Sequence, residues 1–185
     1  LREGGYTGVD IEPVALRAAQ ANALLRRKGF HFHQLTVRNA EYNPGGDRPA
    51  ESYVFPFADG SFEVIFLISV FTHMLPGAVR NYIGEIGRML APGGAVLLSS
   101  FLMDHGLEGA GFDFTHQGED FRSVNAELPE KAVGYDLGFF DQAGAPHGLA
   151  RRAAPLLGGW RRGAGVVPAT PFPQDLLVYF KAAGG

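Results

Sequence analysis

Asp10 closes a short apolar run, residues 5–11, where a strand-end acid can accept hydrogen bonds from both hydroxyls of a bound ribose. The same carboxylate suits a second task, capping a helix that starts at Pro13. Ser69-Val70-Phe71-Thr72-His73-Met74 follows another apolar run, and His73 is its one titratable residue, of the type that serves as a general base near neutral pH. A turn histidine also caps backbone groups or packs on a neighbouring helix, so residue type alone does not assign it. His31 and His33 alternate along a strand-like stretch and face one side. Two such rings can begin a zinc site, but no third ligand stands at a useful spacing, and they read as a satisfied pair. Asp104, His105, Asp113, His116, Glu119 and Asp120 crowd a later loop, of which His105 and His116 are the candidates for contact with a substrate. Trp160, inside Gly158-Gly159-Trp160-Arg161-Arg162, reads as core. No cysteine is present, which excludes thiolate metal sites and a disulfide framework.

Each of these groups needs an element to hold it. Residues 5–11 predict a strand, and Val14, Leu16, Ala18, Ala19, Ala21, Leu24 and Leu25 predict one helix to about Arg27, stopped by Gly29. Residues 30–37 predict a strand with alternating faces, and residues 43–52, with Pro44-Gly45-Gly46, a surface loop. The run 62–70 is almost continuously apolar, as in a strand buried on both faces. Val79, Tyr82, Ile83, Ile86, Met89 and Leu90 fall at helical spacing. Leu90-Ala91-Pro92-Gly93-Gly94 then reads as a turn into a further buried strand, residues 95–102. Residues 103–135 give no firm element; 137–145 predict a short helix, 149–157 a strand and 175–182 a terminal strand. The order strand, helix, strand, loop, strand, helix, strand belongs to a doubly wound α/β sheet, which binds ligands at the carboxyl ends of its strands.

Tyr6-Thr7-Gly8-Val9-Asp10-Ile11-Glu12-Pro13 resembles the acidic second-strand motif of the class I S-adenosylmethionine (SAM)-dependent methyltransferases. Residues 62–101, with the Phe55-to-Ile65 run that leads into them and the Pro-Gly-Gly turn, resemble the second half of the same family, type 11-like. The resemblance implies a Rossmann-like, mostly parallel sheet in one domain over 1–185, with 103–135 a substrate-side insertion. SAM is then the cofactor: Asp10 holds its ribose, Ile11 lies against its adenine, and Ser69, Val70 and Phe71 line its methionine side, with Phe71 and Met74 walling the transfer pocket. An Asp commonly stands at the end of the third strand in this family to receive the adenine amino group. Thr36 stands there instead, a weaker acceptor, which passes the contact to Thr36 or to the Val37 backbone. Loops near His105 and His116 would meet the methyl acceptor, an O, N or C nucleophile on a small or sugar-like molecule.

The family's glycine-rich first strand has no counterpart here, since only nine residues precede Asp10. The expectation is an N-terminally truncated piece whose second and fourth strands expose apolar edges, and which alone binds SAM weakly and is inactive. Two other readings stay open. Asp10 would equally serve an NAD(P)-dependent oxidoreductase, although no Tyr-x-x-x-Lys pair is present, and Thr36 would suit a degenerate, non-catalytic interaction module. A net charge of −3 gives no electrostatic case for nucleic acid, and no apolar run is long enough for a membrane helix. A cytoplasmic protein with a small-molecule partner is expected. The 46% hydrophobic content over 185 residues suffices for one sizeable core.

Overall fold

Strand β4 (Leu90–Leu102) is the hub of the computed structural model, which describes residues 4–105, 112–161 and 172–184. The chain divides into two compact units, Leu1–Ala50 and Glu51–Gly185.

The first unit is a parallel strand pair with its crossover. Strand β1 (Tyr6–Asp10) aligns with β2 (Phe30–Gln34), Tyr6 opposite Phe30 and Asp10 opposite Gln34, and the Tyr6 ring stacks on Phe30 at 4.5 Å. The single helix expected between them is two, α1 (Pro13–Ala21) and α2 (Ala23–Arg27). Asn22 is the cause: its ψ of 113° leaves the helical region, and its Oδ1 accepts the Leu24 and Leu25 N–H groups at 3.0 and 3.4 Å. An Asn side chain that competes for backbone donors in this way starts a new helix instead of continuing the old one. Strand β2 also stops at Gln34, short of the expected Val37. From there the chain turns to bond the 43–48 loop, with Arg38 N–H donating to the Arg48 carbonyl at 2.8 Å.

The second unit is built on a seven-stranded mixed sheet. Strand β3 (Phe62–Leu67) runs parallel to β4, with α3 (Pro76–Met89) as the crossover between them. Short strands β5 (His116–Gly118), β6 (Phe121–Ser123) and β7 (Val133–Tyr135) form a meander that joins the end of β4, Phe101 opposite Gly134. Helix α4 (Leu137–Gly144), the short β8 (Leu149–Arg151) and β9 (Asp175–Lys181) follow, and β9 lies antiparallel to β4. Ile83 and Ile86 of α3, Phe140 of α4, Val96 and Leu98 of β4 and Tyr179 of β9 close on one another as the core.

Two expectations change here. Strand β3 is not buried on both faces: Val64 is 62% exposed and Phe66 51%. It pairs only with β4 among the described strands, and the helices pack on the opposite, Ile65 and Val96, face. The Pro-Gly-Gly segment is not a turn ahead of the strand but an irregularity within it. Phe62 pairs with Leu90 and Val64 with Ala95, so Ala91 to Gly94 stand opposite Glu63 alone. Gly93 takes φ 78°, and a side chain on Gly94 would meet the Ala91 and Glu63 carbonyls at 2.9 Å, which explains the two glycines.

The loop ahead of β3 is fixed by Arg88 of α3. Its guanidinium reaches Glu85 through two nitrogens at 2.7 and 2.9 Å, the Phe55 and Phe57 carbonyls at 3.1 and 2.7 Å, and Asp59 at 2.8 Å. A planar fork with five donors suits this set of acceptors, and it holds the Glu85 carboxyl below its usual range.

Candidate functional site

In the first unit, the carboxyl ends of β1 and β2 bring Asp10, Ile11, Thr36 and Val37 to one end of the parallel pair. The Leu35 N–H donates to the Asp10 carbonyl at 2.8 Å and so carries the register past the strand ends. Asp10 is exposed and does not cap the helix. That task falls to Glu12, whose carboxylate accepts the Val14 and Ala15 N–H groups at 2.9 and 2.6 Å. Those two backbone bonds, Ala15's first, hold the Glu12 carboxyl below its usual range. Asp10 receives only the Glu12 N–H, on Oδ1 at 2.9 Å, among the bonds of the described residues. It therefore keeps acceptor capacity for a diol, while half-buried Ile11 stands beside it.

Thr36 and Val37 differ in what they offer. Thr36 is exposed; its carbonyl is taken by the Asp47 and Arg48 N–H groups at 3.1 and 3.2 Å, and its side chain is the part presented. Val37 is buried, and its carbonyl accepts Asn43 Nδ2 at 2.8 Å. The loop closes over it at Gly46, where a Cβ would lie 2.6 Å from the Val37 carbonyl carbon and oxygen. Only glycine fits so close an approach.

In the second unit, Ser69, Val70 and Phe71 form the turn beyond β3. Ser69 stands at φ 57°, a left-handed conformation that costs an L-residue about 1 kcal/mol. Hydrogen bonds hold it there. The Ser69 N–H donates to Ser99 Oγ at 2.8 Å, and Ser69 Oγ donates to Gln174 Oε1 at 3.1 Å. Ser99 Oγ donates in turn to the same Gln174 oxygen, and Gln174 Nε2 faces Thr72 Oγ1 at 3.5 Å. Phe71 is wholly buried, 6.1 Å from the Phe140 ring, and Met74 is buried, its carbonyl bound by the Tyr135 hydroxyl. Both side chains belong to the core, whereas Ser69 is exposed and Val70 half-buried. Burial raises the Tyr135 hydroxyl far above its usual range and keeps it a donor.

The histidines are held in different ways. His73 Nδ1 lies 3.0 Å from the Glu130 carbonyl, and His105 Nδ1 lies 2.7 Å from Asp104 Oδ1. Neither partner can donate, so in each ring it is Nδ1 that donates. Asp104 Oδ2 also accepts the Leu137 N–H at 3.1 Å, which ties this pair to the start of α4. His116 is exposed on β5 opposite Ser123. His31 and His33 are both exposed, and no group of three metal-ligating side chains occurs among the described residues.

Sequence reasoning missed what lies beneath this surface. Arg161 and Asp175 are a fully buried ion pair at 2.8 Å. Asp175 also accepts from Leu102 N–H, Gly158 N–H and Trp160 Nε1 at 2.8–2.9 Å; Arg161 donates to the His105 carbonyl at 2.8 Å and to that of Leu102, and sits 4.3 Å from the Trp160 ring centre. Trp160 packs with Phe101 and Phe114, as its reading as core required. The available signals were Ser99-Ser100 inside an apolar strand and Gln174-Asp175 at the mouth of another. Ser100 Oγ is buried without a hydrogen-bond partner among the described residues.

Comparison with known proteins bears on both units. A family described as a methyltransferase domain matches residues 1–96. The tRNA N(3)-cytidine methyltransferase METTL2 of Danio rerio is 36% identical over 73 residues, which covers 36% of this chain and 21% of that protein. The chain thus spans about a fifth of the curated relatives it matches. A SAM-dependent methyltransferase from Methanosarcina mazei has the same fold at TM-score 0.59 and 17% identity, over 97% of this chain and 83% of that one. A second structure, the 1,6-didemethyltoxoflavin-N1-methyltransferase of Burkholderia thailandensis with bound 1,6-didemethyltoxoflavin and S-adenosylhomocysteine, aligns at TM-score 0.54 and 15% identity, over 95% of this chain and 60% of that one.

Proposed function

The chain belongs to the methyltransferase-domain family, and on that premise we propose that its protein moves a methyl group from SAM to an O, N or C nucleophile of a small acceptor. When bound, SAM supplies a methyl group on a cationic sulfonium, ready for in-line displacement. Asp10 takes the ribose hydroxyls. The observation that carries this is that Glu12 relieves Asp10 of the helix cap and leaves an exposed carboxylate at the carboxyl end of a parallel pair. Ile11 offers an apolar surface to the adenine and Thr36 a hydroxyl acceptor, while Val37 serves by shaping the turn from within. Ser69, Val70 and the Phe71 backbone line the methionine side.

His105 and His116 stand on the acceptor side. His73, whose Nδ1 donates to the Glu130 carbonyl, and His105, oriented by Asp104, are the two candidates to take a proton from an acceptor that arrives protonated. The METTL2 match supports a tRNA acceptor as a second reading, because that relative is a tRNA cytidine methyltransferase. The net charge of −3 favours the small molecule.

Calorimetry with S-adenosylhomocysteine on the full-length protein tests the cofactor reading. Wild type should bind, and Asp10→Ala should weaken binding at least tenfold through the lost charge-assisted bonds. Equal binding by both proteins would remove Asp10 from the site. Incubation with methyl-labelled SAM and bulk tRNA separates the acceptors: label in the RNA would replace the small-molecule reading.

No described helix is long and apolar enough to cross a membrane.

A further inference from the structure

We infer that Gln174, 105 residues from Ser69 in the chain, is a positioning residue that sets the backbone of the cofactor turn and so governs affinity for the amino-acid part of SAM. This rests on the reading that Ser69 to Phe71 line the methionine side.

The amide of Gln174 is buried and reaches three hydroxyl side chains, those of Ser69, Thr72 and Ser99. Its Oε1 receives both the Ser69 and the Ser99 hydroxyls, and its Nε2 faces the hydroxyl of Thr72, three residues beyond Ser69. Ser99, opposite Leu176 in the β4–β9 ladder, takes the Ser69 N–H. Ser69 is thereby gripped at its backbone nitrogen and at its side-chain oxygen while in a left-handed conformation that a serine rarely adopts.

The hydroxyl count explains why an amide is needed. Ser99 Oγ has one proton and gives it to Gln174, which leaves its lone pairs for the Ser69 N–H. Gln174 accepts twice through one oxygen and still has a donor left for Thr72. A carboxylate would accept but not donate, and an apolar side chain would do neither. The turn's shape is therefore decided by the residue just ahead of β9, adjacent to Asp175, whose own carboxylate is locked to Arg161. Gln174 is thus flanked by a residue anchored in the core.

The experiment compares two ligands on the full-length protein. S-adenosylhomocysteine carries the amino-acid chain; 5′-methylthioadenosine is the same thioether nucleoside without it. Gln174→Met keeps the length of the side chain and removes the amide. Ser99→Ala removes the acceptor of the Ser69 N–H by an independent route, so a folding failure of the first variant leaves the second to decide. In both, affinity for S-adenosylhomocysteine should fall at least tenfold while affinity for 5′-methylthioadenosine stays within twofold. Gln174→Glu should fall between wild type and Gln174→Met. Unchanged affinity for both ligands, or an equal loss for both, would overturn the proposal. Failure of the wild type to bind S-adenosylhomocysteine would instead defeat the cofactor reading beneath it.

Discussion

Replacing Arg161 with methionine should lower stability by about 3 kcal/mol, the lower part of the range for breaking a buried ion pair. The lower part applies because Asp175 would not be left bare: it keeps the N–H donors of Leu102, Gly158 and Trp160. The groups that lose a partner are chiefly the Leu102 and His105 carbonyls, and acceptors tolerate this better than donors. Asp175→Ala should be worse, about 5 kcal/mol or more. It orphans three neutral donors and leaves a fully buried guanidinium facing them without its counter-charge. For a chain of this size roughly 2–4 °C of melting temperature follows each kcal/mol, so Arg161→Met should melt about 10 °C below wild type. Trp160 is the single tryptophan and touches both partners, so its fluorescence during urea unfolding reads this cluster directly, with circular dichroism as the second probe. The double replacement Arg161→Met, Asp175→Leu should recover part of the Asp175→Ala loss, because an apolar pair of similar volume carries no stranded charge. A cost for Arg161→Met below about 1 kcal/mol, or a milder effect from Asp175→Ala than from Arg161→Met, would refute the reasoning.

Other expectations follow from single contacts. Gly46→Ala should cost about 1–3 kcal/mol in denaturant titration, since its Cβ would strike the Val37 backbone, whereas Gly45→Ala, with open space around it, should be close to neutral. Val64→Thr with Phe66→Thr should change stability by about 1 kcal/mol or less, both side chains being exposed, yet raise the concentration at which light scattering first detects aggregates. Acid should destabilise the second unit. The Glu85 and Asp141 carboxyls lie below their usual ranges because of their bonds to Arg88 and Arg151, so the stability they contribute is present above about pH 4 and is lost as pH falls through their lower, folded values. In Arg88→Met the Glu85 share of that acid-dependent loss should shrink in a pH series of melting temperatures, the Phe55 N–H bond to Glu85 being what remains.

The sequence patterns that carried the most information were those with a single physical reading. The α3 stripe and the two apolar runs around it could hardly be anything but a crossover, and β3, α3 and β4 stand where that spacing puts them. The helix break at Asn22 and the irregularity at Pro92–Gly94 were hidden, because each is decided by a hydrogen bond or a register that periodicity does not encode. Strands of three residues, such as β5, β6 and β7, are too short to show a period at all. At the candidate site, Asp10 and the Ser69 turn were visible as residue types at strand ends. Gln174 was not, because its importance comes from a partner more than a hundred positions away and from no local motif.

Strand β4 also has a consequence for how this molecule comes into being. Its antiparallel partner is β9, and Leu102 waits for a carboxylate 73 residues further on. Contacts of such long sequence separation form late and slowly, because the entropy of closing the intervening chain must be overcome before any pairing repays it. During synthesis the central strand therefore emerges with one edge unmade, and that edge stays so until β9 has left the ribosome. Over that interval the nascent chain is a natural client for chaperones that shield apolar strands.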